Sequence, residues 1–247
     1  MSGHSKWSTI KRKKGALDAK KGKIFSRIVK EISMAVKEGG PEPEANPRLR
    51  VAIQNARGTN MPKDNIERAI NKADKDGASL QEVTFEGYAP HGIALFIECL
   101  TDNNQRTVSL VRSVFNKKGG NMGTNGSLSF IFDRKGVFTV KRGNLDPDEF
   151  QLEIIDAGVE DCEVEDDVFI ITTTLEDFGG MQKKLDEMEV EIENSELQRI
   201  PNTTKTLPTT DARKVLKMVE EFEDIDDVQN VYHNLELTSE IMSEMEE

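Results

Sequence analysis

Basic side chains and the chain's single tryptophan occur together at its start, in SGHSKWSTIKRKKGALDAKKGK (residues 2–23). Lysine and arginine neutralise phosphates, and an indole ring can stack on a nucleic-acid base. The predicted nucleic-acid-binding residues are Lys6, Trp7, Lys11, Arg12, Lys13, Lys14, Lys20, Lys21 and Lys23. A solvated basic tail, or a contact surface for an acidic protein partner, is the alternative for such a run.

The charge of the whole chain has the opposite sign, because its 247 residues carry a net charge of −12. Residues 1–30, the basic head, hold ten Lys and Arg against one Asp. Residues 81–247, the acidic body, hold 15 basic and 36 acidic residues. Because like charges repel, we expect a polyanion to meet the head first.

The sequence contains no recognisable catalytic or metal-binding motif. The three histidines (His4, His91 and His233) and two cysteines lack the spacing of a metal site, and no Walker A, H-E-x-x-H or G-x-S-x-G motif occurs. The loop GGNMGTNG (119–126) lacks the Gly-Lys-Ser/Thr ending of a phosphate loop. We therefore predict a flexible connection there, with backbone contact to a ligand as the alternative, and no catalytic residue, metal or cofactor.

Other polar features have simple structural interpretations. The acidic runs at 165–167 and 224–227 are typical of solvated turns, and His91 falls in a predicted hairpin loop. Two cysteines far apart, Cys99 and Cys162, indicate reduced thiols and a cytoplasmic protein. No apolar run approaches the roughly 20 residues of a membrane-spanning helix, so we expect no membrane association.

Apolar residues repeat at helical spacing over residues 23–39, 47–58 and 60–77, with Asn60 as the expected cap of the third helix. Residues 1–79 are therefore predicted to form a basic helical domain with an N-terminal arm.

The pattern changes to strands at residue 82. Two strands joined by APHG, a helix over 101–120 and a strand SLSFIFD (127–133) give the order ββαβ. Residues 135–200 then read βαββαβ, the order of a ferredoxin-like unit. One further helix and strand follow, and we expect them to complete the earlier sheet. The predicted fold is thus multidomain α+β: residues 80–134 plus 201–247 form a middle domain, and 135–200 a ferredoxin-like insertion.

Several segments of the chain have distinctive amino-acid sequences. They are GHSKWSTIKRKKGALDAKKGKIFSRIVKEI (3–32), NPRLRVAIQNARGTNMPKDNIERAI (46–70) and FEGYAPHGIALFIECLTDNNQRTVSLVR with NKKGGNMGTNGSLSFIFDRKG (85–136). With these segments the chain closely resembles the YebC/PmpR family along its whole length. The resemblance implies a helical first domain, two α+β domains after it, and no cofactor or catalytic residue.

The resemblance also implies a function. Members of that family are described as cytoplasmic DNA-binding transcriptional regulators, and related members activate translation and associate with the ribosome. We therefore expect a non-enzymatic nucleic-acid-binding regulator, most readily of transcription, with duplex DNA or structured RNA as its partner. The alternative is a translation factor or translational activator associated with the ribosome and its RNA.

Overall fold

A computed structural model describes residues 17–76, 79–165 and 167–246, with side chains from residue 22 to 75, 79 to 165 and 167 to 244. These residues divide into two compact units. The first unit contains residues 17–27, 79–133 and 199–246, and the second contains 28–76 and 134–198 apart from residue 166.

Within the described residues the helices are α1 Leu17–Gly39, α2 Pro47–Gly58, α3 Lys63–Asp76, α4 Asn104–Lys118, α5 Pro147–Ile154, α6 Phe178–Glu187, α7 Thr209–Glu223 and α8 Ser239–Glu246. The strands are β1 Gln81–Ala89, β2 Ile93–Thr101, β3 Asn121–Met122, β4 Phe132–Lys141, β5 Val159–Glu165, β6 Val168–Thr173, β7 Ile192–Pro201 and β8 Val228–His233.

The turn between α1 and α2 is fixed by the buried Asn46. Its side-chain oxygen accepts a hydrogen bond from the Leu49 amide at 3.0 Å, which caps α2, and its amide donates to the Ala35 carbonyl at 2.7 Å. The first bond satisfies a free N–H group at the start of α2, and the second ties the turn to the last part of α1. The three predicted N-terminal helices are confirmed. The prediction of Asn60 as the cap of the third is wrong, because that helix begins at Lys63 and Asn60, three residues earlier, has a left-handed φ of 58°.

The sheet of the first unit has the strand order β3-β1-β2-β8. Strands β1 and β2 form the predicted hairpin, pairing from Gln81 opposite Thr101 to Ala89 opposite Ile93. Strand β8 comes from the C-terminal part of the chain and pairs with β2. Helices α4 and α7 pack on one face of this sheet, where the rings of Phe115 and Phe222 lie 4.9 Å apart.

The opposite face of the same sheet is covered by a different segment. Leu128 and Phe132 pack there with Phe96 of β2 and Tyr232 of β8. The sequence prediction of a strand over 127–133 is wrong, because the chain forms turns through residue 131 and strand β4 begins at Phe132. The described third strand of this sheet is instead the short β3, inside the predicted loop.

The sheet of the second unit has the strand order β5-β6-β4-β7. Helices α5 and α6 cover one face, with Phe150 stacked on Phe169 at a ring separation of 4.3 Å. This is the predicted βαββαβ unit, and the chain returns from it to complete the first sheet with β8. The predicted α+β fold, helices followed by two antiparallel sheets, is confirmed. The division into three domains at residues 79, 134 and 200 stays a prediction.

Strand β7 lies at the edge of the second sheet, and α2 docks against it. The Asn55 side chain donates to the Ser195 carbonyl and accepts from the Ser195 amide, both at 2.8 Å. The approach is close: a Cβ on Gly58 would lie 1.9 Å from the Glu193 carbonyl oxygen. An amide side chain thus occupies the backbone groups of an edge strand, which are otherwise open to pairing.

Candidate nucleic-acid interface

The predicted nucleic-acid-binding residues fall mostly at the edge of the described chain. Lys6, Trp7 and residues 11–14 lie outside the described residues. Lys20 and Lys21 are in helix α1, and their side chains are outside the described part. Lys23 is the remaining predicted site residue, and its side-chain contacts can be described.

Lys23 contacts the C-terminal end of helix α7. Its ammonium group lies 2.5 Å from a carboxylate oxygen of Asp224, with 45% of the lysine side chain and 71% of the aspartate side chain exposed. One turn further along α1, Arg27 donates to the Glu223 carbonyl at 2.8 Å. Cations are favourable at this end of a helix, where carbonyls lack helical partners. Lys23 therefore already has an anionic partner within its own unit.

Arg27 was not among the predicted site residues, although it belongs to the same basic head. Arg27 follows Lys23 by four residues on a predicted helix, so both side chains lie on one face. This spacing could have identified Arg27 as a further candidate site residue. Its partner on α7 lies almost two hundred residues away in the chain. No local pattern could have identified that contact.

The glycine-rich loop is anchored by the buried side chain of Glu86. One carboxylate oxygen accepts from the Gly126 amide at 2.7 Å, and the other from the Leu128 amide at 2.6 Å. The Glu86 carbonyl also accepts from the Gly123 amide at 2.8 Å. The flexible connection predicted for this segment is thus contradicted. Three backbone N–H groups that could have bound a phosphate are bonded to Glu86 instead.

The hairpin loop carrying His91 has an unusual backbone. His91 has a φ of 64°, a left-handed conformation that is uncommon for a residue with a side chain. Lys205 donates to the His91 carbonyl at 2.6 Å, and the imidazole lies 3.6 Å from Asp211 at the start of α7. A hydrogen bond from Lys214, followed by the charge of His91, lowers the pKa of the Asp211 carboxyl. These contacts give the predicted turn a defined shape.

The acidic run at 224–227 is not uniformly solvated. Asp224 is exposed, but Asp227 is only 3% exposed and accepts from Arg106 at 2.7 Å and from Thr107 at 2.9 Å. The hydrogen bond that Arg106 donates to Asp227 is the first cause that raises the pKa of Arg106, followed by the one it donates to Asp102. The prediction of a solvated turn is therefore wrong for Asp227, which joins the start of α4 to the start of β8.

The described residues contain no group of three His, Cys, Asp or Glu side chains placed to hold a metal ion. Cys99 is buried and Cys162 is partly buried, and the two are not joined in a disulfide. Burial, followed by the charges of Asp161 and Glu163, raises the pKa of Cys162 to about 11. None of the described helices combines the length and apolar character that crossing a bilayer requires.

Comparisons with family models cover most of the chain. Residues 5–76 match the TACO1/YebC protein N-terminal domain, and residues 80–235 match the TACO1/YebC second and third domain. These two matches leave only short segments of the chain uncovered.

Individual relatives match at full length. A protein of Amoebophilus asiaticus is 50% identical over 95% of this chain and 98% of its own, and one of Hathewaya histolytica is 47% identical over 96% and 97%. Both are described as probable transcriptional regulatory proteins. A crystal structure of a conserved hypothetical protein from Aquifex aeolicus is 41% identical, with a TM-score of 0.82 over 91% of this chain and 94% of its own.

Proposed function

The chain belongs to the TACO1/YebC family, and we propose that it is a non-enzymatic regulator of gene expression that binds nucleic acid through its basic head. The observation that carries this proposal is the confinement of positive charge. Residues 1–30 hold ten Lys and Arg against one Asp, next to the single tryptophan, in a chain whose net charge is −12. Lysines supply phosphate contacts, and Trp7 supplies a ring that can stack on a base.

Duplex DNA in transcriptional control is the first candidate partner. Full-length relatives at 47–50% identity are described as probable transcriptional regulatory proteins. The charge distribution is compatible with this role, because the repulsion of the acidic body from DNA favours an approach by the head. The protein would then regulate by binding DNA without changing it chemically.

Ribosomal RNA in translational control is the second candidate, and the chemistry of the head suits it as well as it suits DNA. Seven of the nine proposed contact residues in residues 2–23 are lysines. Lysine is a point charge without the planar fork that pairs with guanine, so it contacts the backbone more readily than base edges. A lysine-rich head accepts structured RNA as readily as duplex DNA.

Salt-dependent binding of the full chain tests the proposal. The test variant changes Lys11, Arg12, Lys13 and Lys14 to Gln. If these four residues contact phosphates of a DNA duplex, the slope of log affinity against log salt becomes shallower by about 3 to 4. Fluorescence anisotropy with a labelled DNA duplex and an RNA hairpin, across a salt series, gives the slopes.

The matched control removes the same charge from helix α3 by changing Lys63, Arg68, Lys72 and Lys75 to Gln. We expect this variant to keep the slope of the unmodified chain. If both variants lose the same affinity, the net charge matters and the head has no special role. If the head variant binds as the unmodified chain does, the proposal is wrong.

A further inference from the structure

Helix α4 and the segment after it stand apart from the acidic body to which they belong. Residues 103–132 contain four Lys or Arg and no Asp or Glu. Residues 81–247 carry 36 acidic residues in total, so a stretch of this length would on average hold about six. A second local reversal of charge therefore exists, about a hundred residues after the basic head.

Two of the four cations are used by the fold. Arg106 donates to Asp227 at 2.7 Å and to Asp102 at 2.8 Å. Lys118 lies 2.6 Å from a carboxylate oxygen of Glu221 on α7. Arg106 and Lys118 thus have carboxylate partners within the fold.

The other two cations, Arg112 and Lys117, face solvent. Both side chains are exposed, and neither forms an ion pair or hydrogen bond with another side chain in the described part of the chain. A guanidinium and an ammonium group without an internal partner can each bind an external anion. Helix α4 thus carries two cations that are paired with carboxylates of the fold and two that are available to bind an external anion.

A stripe of uncharged polar side chains runs between the two available cations. Gln105, Ser109 and Asn116 are exposed along the outer face of α4. At 3.6 residues per turn, Arg112 and Lys117 point about 140° apart around the helix axis. They therefore lie on opposite borders of the stripe. The amides of Gln105 and Asn116 can donate hydrogen bonds, and the Ser109 hydroxyl, which donates to the Gln105 carbonyl at 2.9 Å, can accept one.

The setting of α4 favours an RNA double helix over DNA. Helices α4 and α7 lie side by side on one sheet face, in contact through Phe115 and Phe222. A helix seated on a sheet beside a second helix presents only its outer face to a ligand, and the B-DNA minor groove, about 6 Å wide, is narrower than a helix. The RNA minor groove is wide and shallow, with phosphates on its borders and 2′-hydroxyls on its floor.

We propose that the outer face of α4 is a second nucleic-acid contact surface, directed at the minor groove of double-helical RNA. Arg112 and Lys117 bind phosphates of the two strands, and Gln105, Ser109 and Asn116 bind 2′-hydroxyls. This inference extends the proposed function, because it adds a contact in the body to the contact of the head.

The test compares the unmodified full chain with Arg112→Gln/Lys117→Gln on an RNA duplex of about 20 base pairs, longer than the roughly 16 that one RNA-binding domain spans. Losing two phosphate contacts makes the salt slope shallower by about 1.8, which corresponds to a loss of up to about sixtyfold in affinity near 0.1 M salt. Lys141→Gln/Lys183→Gln removes the same charge from the second unit and should leave the slope unchanged. Thermal melting checks that both variants fold.

A second variant, Ser109→Ala/Asn116→Ala, tests the choice of RNA. It should weaken binding to the RNA duplex and leave binding to DNA of the same sequence unchanged. Equal losses on RNA and DNA overturn the assignment to the RNA minor groove. If Arg112→Gln/Lys117→Gln binds like its control while the head variant loses affinity, the α4 surface is refuted and the head proposal stands. If the unmodified chain binds neither duplex, both proposals fail.

Discussion

The ammonium group of Lys23 can pair with either a carboxylate or a phosphate. In the structure it pairs with Asp224, and both side chains are substantially exposed. Exposed ion pairs contribute little to stability, typically between 0 and about 1 kcal/mol. A phosphate could therefore replace the carboxylate at small cost, and Asp224 would then compete with nucleic acid for Lys23.

Asp224→Asn tests this competition. Removal of the carboxylate charge should free Lys23 and raise nucleic-acid affinity by a few-fold, with a salt slope steeper by up to about 0.9 for one added phosphate contact. Anisotropy titrations across a salt series measure both quantities. Asp226→Asn, an equal change of charge in the same turn, serves as the control. An Asp224→Asn slope no steeper than the control slope would show that Lys23 is not a phosphate contact.

The thiol of Cys162 should react slowly near neutral pH. Burial and two neighbouring carboxylates raise its pKa to about 11, so the reactive thiolate is about a hundredfold scarcer than in an ordinary cysteine. Its alkylation by iodoacetamide should accelerate about tenfold per pH unit up to pH 10. Mass spectrometry of timed reactions, with Cys162→Ser to isolate the buried Cys99, provides the rates. Labelling at pH 7.5 as fast as that of a free cysteine peptide would contradict the assignment.

At the scale of elements, the docking of α2 on the edge strand β7 depends on a missing side chain. A Cβ on Gly58 would lie 1.9 Å from the Glu193 carbonyl oxygen, which is backbone and cannot rotate away. Gly58→Ala should therefore lower the free energy of unfolding by about 1 to 3 kcal/mol, the usual range for overpacking. Urea denaturation measures this change.

Gly180→Ala is the matched control for that substitution. Gly180 lies in helix α6, and a Cβ there would meet nothing within 4 Å. Alanine favours helix over glycine by up to about 1 kcal/mol, so stability should stay equal or rise slightly. Equal losses at Gly58 and Gly180 would indicate that the close approach of α2 to β7 is unimportant.

Element types followed from the sequence where periodicity was unambiguous, as in the N-terminal helices, the β1–β2 hairpin and the βαββαβ unit. The prediction for SLSFIFD failed because its apolar residues at 128, 130 and 132 alternate with other residues as in a strand, whereas Leu128 and Phe132 are buried and Phe130 is exposed. Its backbone instead bonds to Glu86, more than forty residues away. The prediction of a solvated turn was wrong at Asp227 for the same reason, because its partners Arg106 and Thr107 are about 120 residues distant in the chain. Local patterns carry no record of such contacts.

At the scale of the whole molecule, an excess of positive charge occurs in two segments, the basic head and residues 103–132. The basic head could be predicted from the sequence, because charge patterning is directly visible there. The available cations of α4 could not, since separating Arg112 and Lys117 from Arg106 and Lys118 requires knowing which carboxylates the fold brings to the helix. On α4, Arg112 and Lys117 are therefore the groups that can bind a polyanion.

The central claim is that this protein acts by binding nucleic acid through its basic head. Ultraviolet crosslinking of the full chain in its own cells, with DNase and RNase treatment of separate samples and mass spectrometry of the adducts, tests it most directly. The account predicts nuclease-sensitive adducts on peptides from residues 2–23, and sensitivity to DNase or RNase identifies the partner. Adducts that resist both nucleases and consist only of protein would contradict the claim.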